Sequence, residues 1–272
     1  MSVLLDRRKK LSDMPVDEVY VIYGEGATGK TVLASTFPKT EEKKLLYIDI
    51  GEGGTGSIPT EYGDKIEVVS VESFDELDEV ITDLINGYSV EEETGTKHEL
   101  NYSTVVFDTV TQLEYMLKNL LKKTNNKDSM TLNLWGKTKE MSEFIYYLLR
   151  VIHQKTGAIV VALAHVKAIS KDEHPEYDIL LPSLMESAAR SLCAKASYVW
   201  FTDVKHVDTI DPDTNEVSKE AHFVTTIERV PYLTTKCRKP PKFTGKIPTE
   251  IRNLTYDRFR KNVIELIKKE ES

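Results

Sequence analysis

The residues with the clearest chemical signature are 24–31, which read Gly-Glu-Gly-Ala-Thr-Gly-Lys-Thr. They satisfy the pattern GxxxxGK(S/T), in which the glycines let backbone N–H groups turn inward around phosphate oxygens. In this pattern the amine of Lys30 reaches the β- and γ-phosphates of a nucleotide, and the hydroxyl of Thr31 is a ligand of Mg²⁺. We therefore predict a phosphate-binding loop, or P-loop, for ATP and Mg²⁺, made of Gly24, Glu25, Gly26, Ala27, Thr28, Gly29, Lys30 and Thr31.

Three carboxylates near the ends of predicted strands are candidates for the metal site and for the hydrolytic step. Asp108 ends the apolar run 105–107, so it lies at the carboxyl edge of the predicted sheet, where ligands of open α/β sheets bind. It would hold Mg²⁺ directly or through a water molecule. Asp49 ends another predicted strand and Glu52 lies in the glycine-rich stretch after it. Either carboxylate could deprotonate the attacking water, which is worth about 10²–10⁴ in rate. We favour Glu52 as this base and keep Asp49 as the alternative.

Residues around these acids separate the chain from several classes of P-loop protein. Asp108 is followed by Thr109, so the adjacent acidic pair that is common in AAA+ ATPases and many helicases is absent, and the base must come from elsewhere. Glu25 stands where ParA-like ATPases carry their signature lysine. Residues 126–129 read Asn-Lys-Asp-Ser and fail the NKxD pattern, and no LSGGQ-like segment occurs. These features exclude GTPases and ABC ATPases.

His165 follows the most continuously apolar run of the chain, residues 159–164. A run of this kind indicates a strand that is covered on both faces, as in a parallel sheet between helices. From the end of that strand the polar side chain of His165 could contact the γ-phosphate and report its loss to the polar segment that follows. We expect that segment, 165–181, to be irregular.

Short apolar runs alternate with helical periodicities along the chain, which is typical of a mostly parallel sheet with helices on both faces. Residues 87–103 are predicted to form a surface hairpin or loop inserted in this core, and 198–204 and 222–229 to form paired antiparallel strands. The sequence therefore predicts an α/β fold with a C-terminal antiparallel extension. The other predicted strands are 19–23, 44–49, 66–71, 104–107 and 159–164, and the predicted helices are 30–37, 73–86, 109–123, 131–155, 183–196 and 256–269.

Length and composition indicate the class of protein and its domain organisation. The chain has 272 residues, of which 40% are hydrophobic and 29% are charged, as in a globular protein with a full core. We expect an N-terminal segment at 1–17, one domain at 18–254 that carries the insertion at 87–103, and a C-terminal helix at 255–272. The net charge of −8 argues against a surface that is basic throughout but allows a local basic groove. No apolar run approaches the roughly 20 residues of a membrane span, so we expect a cytosolic location.

The chain resembles the RecA-like recombinase core over about residues 19–254. Within that group it is most similar to the phage-encoded RecA-like annealing ATPases, often called phage nucleotide-binding proteins. The resemblance is carried by the segments GEGATGKT, LLYIDIGEGG and VVFDTVTQL, by the helix that contains Trp135 ahead of IVVALAHVK, and by Lys236-Cys237-Arg238 followed by prolines. It implies a RecA-like P-loop core and, for a phage protein, a location in the cytoplasm of the host.

The resemblance also implies roles for individual residues. It places the catalytic base on Glu52, and it gives His165 the role of the glutamine that senses the γ-phosphate. Lys236 and Arg238 resemble the basic pair that RecA-like subunits insert into the ATP site of a neighbour, where such a group stabilises charge on the γ-phosphoryl oxygens. Loops that bind single-stranded DNA would supply phosphate contacts from Lys122, Lys123, Lys127, Lys167 and Lys171.

These observations together predict a Mg²⁺-dependent ATPase that forms a homo-oligomeric ring or filament and acts on single-stranded DNA in recombination or annealing, alongside a single-strand binding protein. One alternative is a helicase-loading adaptor or a nucleotide switch that does not hydrolyse ATP. A second alternative is a P-loop kinase for a small molecule, with 165–195 as its lid. Arg190 is the only arginine in that segment, which disfavours the kinase.

Overall fold

The structure is a computed structural model of the chain and describes residues 18–91, 93–170, 176–210, 217–239, 243 and 246–269. The strands are β1 (Val19–Gly24), β2 (Leu45–Asp49), β3 (Ile66–Ser70), β4 (Tyr88–Val90), β5 (Lys97–Glu99), β6 (Thr104–Asp108), β7 (Ile159–Ala164), β8 (Val166–Ile169), β9 (Ile179–Pro182), β10 (Tyr198–Ile210), β11 (Val217–Thr226), β12 (Lys236–Cys237) and β13 (Glu250–Arg252). The helices are α1 (Lys30–Ser35), α2 (Phe74–Asn86), α3 (Val110–Thr124), α4 (Leu132–Thr156), α5 (Glu186–Lys195), α6 (Tyr256–Phe259) and α7 (Glu265–Lys269), with a π-helical turn at Arg260–Ile264 between the last two.

One large sheet organises the described residues, with strand order β13-β11-β10-β1-β7-β6-β2-β3 and β12 paired with β10. The strands from β3 to β10 in this order are parallel neighbours, whereas β11, β12 and β13 pair antiparallel. The fold prediction, a mostly parallel sheet with a C-terminal antiparallel extension, is confirmed. Because the parallel strands point the same way, the carboxyl ends of β1, β2, β6 and β7 meet at one edge.

Helices cover both faces of this sheet. On one face, α2, α3, α4 and α5 pack apolar side chains such as Leu117 and Leu149 against the sheet. On the other face, α1 and the C-terminal helical segment pack Leu33 and Phe259 into a second cluster that contains Trp200. The rings of Phe259 and Trp200 lie edge to face with centroids 4.7 Å apart. The strands between the two clusters are buried on both sides, which explains their nearly unbroken apolar sequences.

The longer helices begin where the sequence offers a capping side chain. Ser73 Oγ accepts a hydrogen bond from the N–H of Glu76 at 3.2 Å, and Thr109 Oγ1 accepts one from the N–H of Gln112 at 3.2 Å. Each hydroxyl therefore satisfies an N–H that has no partner inside its helix. Gly157 follows the C-terminal end of α4 and adopts the left-handed conformation with φ 72°, which favours glycine at a helix C-terminus.

Three predictions about local structure need correction. Residues 165–181 are not irregular throughout: β8 and β9 form an antiparallel hairpin, because Val166 and Leu180 pack against the core below it. The antiparallel strand predicted at 198–204 continues to Ile210, since pairing with β11 provides backbone hydrogen bonds well past the end of β1. The C-terminal helix contains a π-helical turn at Arg260–Ile264, and Val263 within that turn packs into the second cluster.

The predicted insertion and the predicted domain boundaries have different outcomes. The insertion predicted at 87–103 is a hairpin formed by β4 and β5. The boundaries at 18–254 and 255–272 stay a prediction, and the segment 1–17 lies outside the described residues. In the part of the chain that the structure covers, no helix combines the length and apolarity needed to cross a bilayer.

Candidate nucleotide-binding site

The P-loop leaves the sheet at the end of β1 and leads directly into α1. Gly24 is the last residue of β1, and a Cβ atom added to it would lie 2.3 Å from the carbonyl oxygen of Thr202 in the neighbouring strand. Only glycine fits there. Ala27 and Gly29 have positive φ angles of 59° and 82°, so the chain turns back on itself before Lys30 begins the helix. This turn points the start of α1 at the space above the sheet edge.

The ammonium group of Lys30 lies within this loop. Its Nζ donates hydrogen bonds to the carbonyl oxygens of Gly24, at 3.0 Å, and Glu25, at 2.6 Å, and the residue is only 8% exposed. Burial lowers the pKa of Lys30, while the charges of Asp108, Glu52 and Glu25 act in the opposite direction. The amine is thus held at the base of the loop among groups that favour its positive form.

Thr31 and Asp108 form a pair of hard oxygen donors beside the loop. Thr31 Oγ1 donates to Asp108 Oδ2 at 3.2 Å, and the hydroxyl of Tyr47 donates to the same carboxylate oxygen. A Cβ on Gly54 would lie 3.2 Å from Asp108 Oδ2 and 3.3 Å from Thr31 Oγ1, so the glycine-rich loop after β2 closes over this pair. One carboxylate, one hydroxyl and open space beside a phosphate loop fit Mg²⁺, which keeps several waters and shares phosphate oxygens.

Glu52 and His165 meet on the other side of the same space. His165 Nε2 lies 2.9 Å from Glu52 Oε1, and Thr109 Oγ1 donates to that oxygen at 3.2 Å. Burial by itself would raise the pKa of Glu52, but the hydrogen bonds from His165, Gln112 and Thr109 and the charge of His165 outweigh it. The pKa of Glu52 is therefore below its ordinary value, and the side chain is a carboxylate at neutral pH.

Asp49, the alternative base, has a different environment. Its Oδ1 accepts hydrogen bonds from the backbone N–H groups of Glu52 at 3.0 Å and of Gly53 at 3.1 Å, and the residue is 8% exposed. The carboxylate therefore holds the first turn of the glycine-rich loop. That loop in turn places Glu52 next to His165.

Most of the residues predicted for nucleotide, metal and catalysis line one cavity of about 540 Å³ at this edge of the sheet. A second cavity of about 200 Å³ adjoins it, and both are lined by Thr28, Gly29, Val32 and Phe223. The second cavity extends along α1 to Asn253 and is mainly apolar. The residues predicted from sequence that line the first cavity are Gly26, Ala27, Thr28, Gly29, Lys30, Thr31, Glu52, Asp108 and His165.

Gly24 and Glu25 belong to the P-loop and bind the ammonium group of Lys30 through their carbonyl oxygens, whereas Lys236 and Arg238 lie away from the cavity. The Nζ of Lys236 donates to the carbonyls of Ala194, at 3.0 Å, and Ala196 at the end of α5, and the backbone N–H of Arg238 bonds the carbonyl of Ser197. Neither side chain lines the cavity of its own chain. Their predicted action on a neighbouring subunit stays a prediction.

The lysines proposed to contact DNA fall into two groups. Lys122 and Lys123 are in the last turn of α3, and Lys127 lies in the connection to α4. The Nζ of Lys167, on β8, donates to the carbonyl oxygen of Leu184. Lys171 lies outside the described residues. A role for any of them in DNA binding stays a prediction.

Sequence reasoning missed several residues of this region, and two of them contribute side chains from distant parts of the site. Tyr47 lies in the middle of β2 and looks like a core residue in the sequence, yet its hydroxyl reaches Asp108. Phe223 is distant in the chain and lines both cavities. A tyrosine two residues before Asp49 on a strand beside β6 was a usable signal for the first, because paired parallel strands share their faces. No sequence signal indicated the second.

The fold and the site together define a nucleotide-binding protein of the P-loop class. The sequence profile of a family described as an AAA domain matches residues 17–248, and the chain belongs to this family. No curated protein matches the chain. Among solved structures, 121 chains match. One is a crystal structure of the RadB recombinase, which is 18% identical in sequence, with 78% of this chain and 81% of that chain covered and a TM-score of 0.44.

The close approach of Gly24 to Thr202 leads to a test of the P-loop geometry. We expect Gly24→Ala to lower the free energy of unfolding by about 1–3 kcal/mol, the usual cost of an overpacked site, because the added methyl group meets backbone oxygen. Gly26→Ala is the matched control, since its Cβ would meet nothing within 4 Å. Urea denaturation of both variants measures the difference. Equal midpoints for the two variants would contradict the described packing.

Proposed function

We propose that this protein is a Mg²⁺-dependent ATPase with a RecA-like core that acts on single-stranded DNA. The observation that carries the nucleotide part is the convergence of Lys30, the Thr31–Asp108 pair and the Glu52–His165 pair on one cavity. These groups supply a phosphate contact, a metal site and a candidate base, which are the parts that phosphoryl transfer to water requires. Membership of the AAA domain family supports the same class of activity.

The cavity provides separate places for the parts of a nucleotide. Backbone N–H groups of the P-loop and the start of α1 favour phosphate oxygens, and Lys30 adds a positive charge. Thr31 and Asp108 would hold Mg²⁺, which neutralises charge on the phosphates when bound. The adjoining apolar cavity, with the ring of Phe223 at its boundary, suits a nucleobase and ribose. A ligand with a polyphosphate and a flat apolar group would match the chemistry of the two linings.

Glu52 is the candidate base for hydrolysis. Its carboxylate is ionised at neutral pH and faces the cavity, so it can accept a proton from water there. The contact with His165 holds the carboxylate in place, and this hydrogen bond would change when Glu52 takes up a proton. Because β8 begins at the next residue, Val166, a movement of His165 would be passed to the β8–β9 hairpin. This link is how the site would report the state of the γ-phosphate.

The DNA and assembly parts of the proposal rest on the resemblance to RecA-like proteins and on the placement of basic residues. Lys123 and Lys127 are exposed around the α3–α4 connection. For Lys236 to act on a neighbouring subunit, its ammonium group would have to leave the carbonyls at the end of α5. We therefore propose that assembly into a homo-oligomer rearranges this contact. Arg238, two residues further on, would enter the neighbour's site with it.

Replacing Glu52 tests the hydrolytic assignment. We expect Glu52→Gln to bind ATP about as tightly as the wild type but to release phosphate about 10²–10⁴ times more slowly, because the amide cannot accept the proton. Glu79→Gln, an exposed change on α2, is the control and should leave turnover unchanged. Phosphate release under single-turnover conditions measures the effect. Turnover of Glu52→Gln within threefold of the wild type would show that another group is the base.

Single-stranded DNA should stimulate the ATPase and bind in a salt-dependent manner. Phosphate contacts release counterions, so DNA affinity should fall steeply as salt concentration rises. The double variant Lys123→Ala/Lys127→Ala should bind more weakly and show a smaller salt slope, whereas Lys97→Ala, on the inserted hairpin, is the control. Fluorescence anisotropy with a labelled oligonucleotide provides the measurement. An ATP turnover rate that does not change with DNA, together with a DNA affinity that does not change with salt, would instead favour a nucleotide switch or a loading adaptor.

A further inference from the structure

A buried phenol lies directly beside the carboxylate that we assign to the metal. Tyr47 is 0% exposed and Asp108 is 4% exposed. The Tyr47 hydroxyl donates a hydrogen bond to Asp108 Oδ2. This contact is not part of the P-loop pattern, and a phenylalanine would fill the same space in the core without donating. The hydroxyl group of Tyr47 therefore contributes a hydrogen bond that packing alone does not require.

The strand register explains how Tyr47 reaches Asp108. In the parallel pair β2–β6, Tyr47 pairs with Val106 and Asp49 pairs with Asp108. Side chains alternate between the faces of a sheet, so Tyr47, Val106 and Asp108 point to the same face. Tyr47 lies one side-chain step below the carboxyl edge, and its length carries the hydroxyl up to the carboxylate. The same face is covered by α1, which supplies Thr31.

The two donors to Asp108 differ in how they are anchored. Thr31 belongs to the P-loop helix and is itself a candidate metal ligand, so its hydroxyl serves two partners. Tyr47 is fixed by the sheet and packs in the second core cluster, independent of any bound ligand. Both donate to Oδ2, and no other donor to this carboxylate occurs among the residues that the structure describes. The remaining oxygen, Oδ1, is left for water or metal.

In this hydrogen bond the phenol of Tyr47 is the donor and a buried carboxylate oxygen of Asp108 is the acceptor. Burial and the neighbouring charge of Asp108 raise the pKa of Tyr47 well above its usual range, so the phenol keeps its proton. A neutral donor beside a buried carboxylate lowers the cost of keeping the carboxylate charged.

We propose that Tyr47 is a positioning residue for the Mg²⁺ site, with its hydroxyl fixing the orientation of Asp108 so that one carboxylate oxygen faces the metal. Removing a side chain that hydrogen-bonds to a metal ligand commonly lowers metal affinity by about 10–100-fold. The inference rests on the proposed function, because it assigns the metal to Thr31 and Asp108. It adds a residue that neither the P-loop pattern nor the family match supplies.

The test compares Tyr47→Phe with Tyr198→Phe. Tyr198 is 2% exposed in β10 and belongs to the same core cluster, and no hydrogen bond of its hydroxyl occurs among the described residues. Binding of a fluorescent ATP analogue is titrated with Mg²⁺ and repeated in EDTA. Tyr47→Phe should need about 10–100-fold more Mg²⁺ for half-maximal effect, with binding in EDTA unchanged, and Tyr198→Phe should match the wild type. A Mg²⁺ midpoint for Tyr47→Phe within twofold of the wild type would overturn the inference.

A double-variant cycle keeps the inference testable if Tyr47→Phe alone folds poorly. In an Asp108→Asn background, Tyr47→Phe should cause a much smaller shift of the thermal midpoint than it does in the wild type, since the charged acceptor is gone. Equal shifts in both backgrounds would show that Tyr47 contributes packing alone. Failure of the proposed function has a different signature: the wild type itself would show no Mg²⁺-dependent binding of the analogue.

Discussion

The ammonium group of Lys30 lies at the base of the P-loop, where two backbone carbonyls and nearby carboxylates are its neighbours. A cation in this position costs desolvation free energy that only negative partners offset. The polyphosphate of a nucleotide would supply such a partner from the open side of the loop. In the proposed function the positions of the other groups follow from this one, because a metal and a base would have to face the phosphates that Lys30 would hold.

The parallel sheet places the acidic residues of the site at the ends of neighbouring strands. Asp49 and Asp108 are paired at the ends of β2 and β6, but their carboxylates have different hydrogen-bond partners and therefore different roles. Asp49 binds loop amides and gives the glycine-rich loop its shape, whereas Asp108 faces Thr31 and Tyr47. The loop shaped by Asp49 presents Glu52 to His165. Two carboxylates of one type thus act as a structural anchor and as a candidate metal ligand.

Sequence patterns predicted the parts of this protein that depend on local chemistry. The P-loop spacing predicted a turn between β1 and α1, and the apolar run before Asp108 predicted that this residue ends a strand; the structure has both features. The β8–β9 hairpin was missed because each of its strands has only four residues, and their stability comes from packing on residues far away in sequence. The contribution of Phe223 to the site was missed for the same reason. It arises from the pairing of β11 with β10, which no local pattern reveals.

The central claim is that a nucleoside triphosphate binds in the P-loop, and calorimetric titration of ATP with Mg²⁺ tests it most directly. Three proteins are compared: the wild type, Lys30→Ala, and Lys43→Ala as an exposed lysine control. Losing a charge-assisted contact worth about 1.5–3 kcal/mol should weaken binding by Lys30→Ala about 10–100-fold, whereas Lys43→Ala should bind like the wild type. Circular dichroism confirms that each variant is folded. Binding of ATP to folded Lys30→Ala with the affinity of the wild type, or no binding to the wild type, would contradict the account.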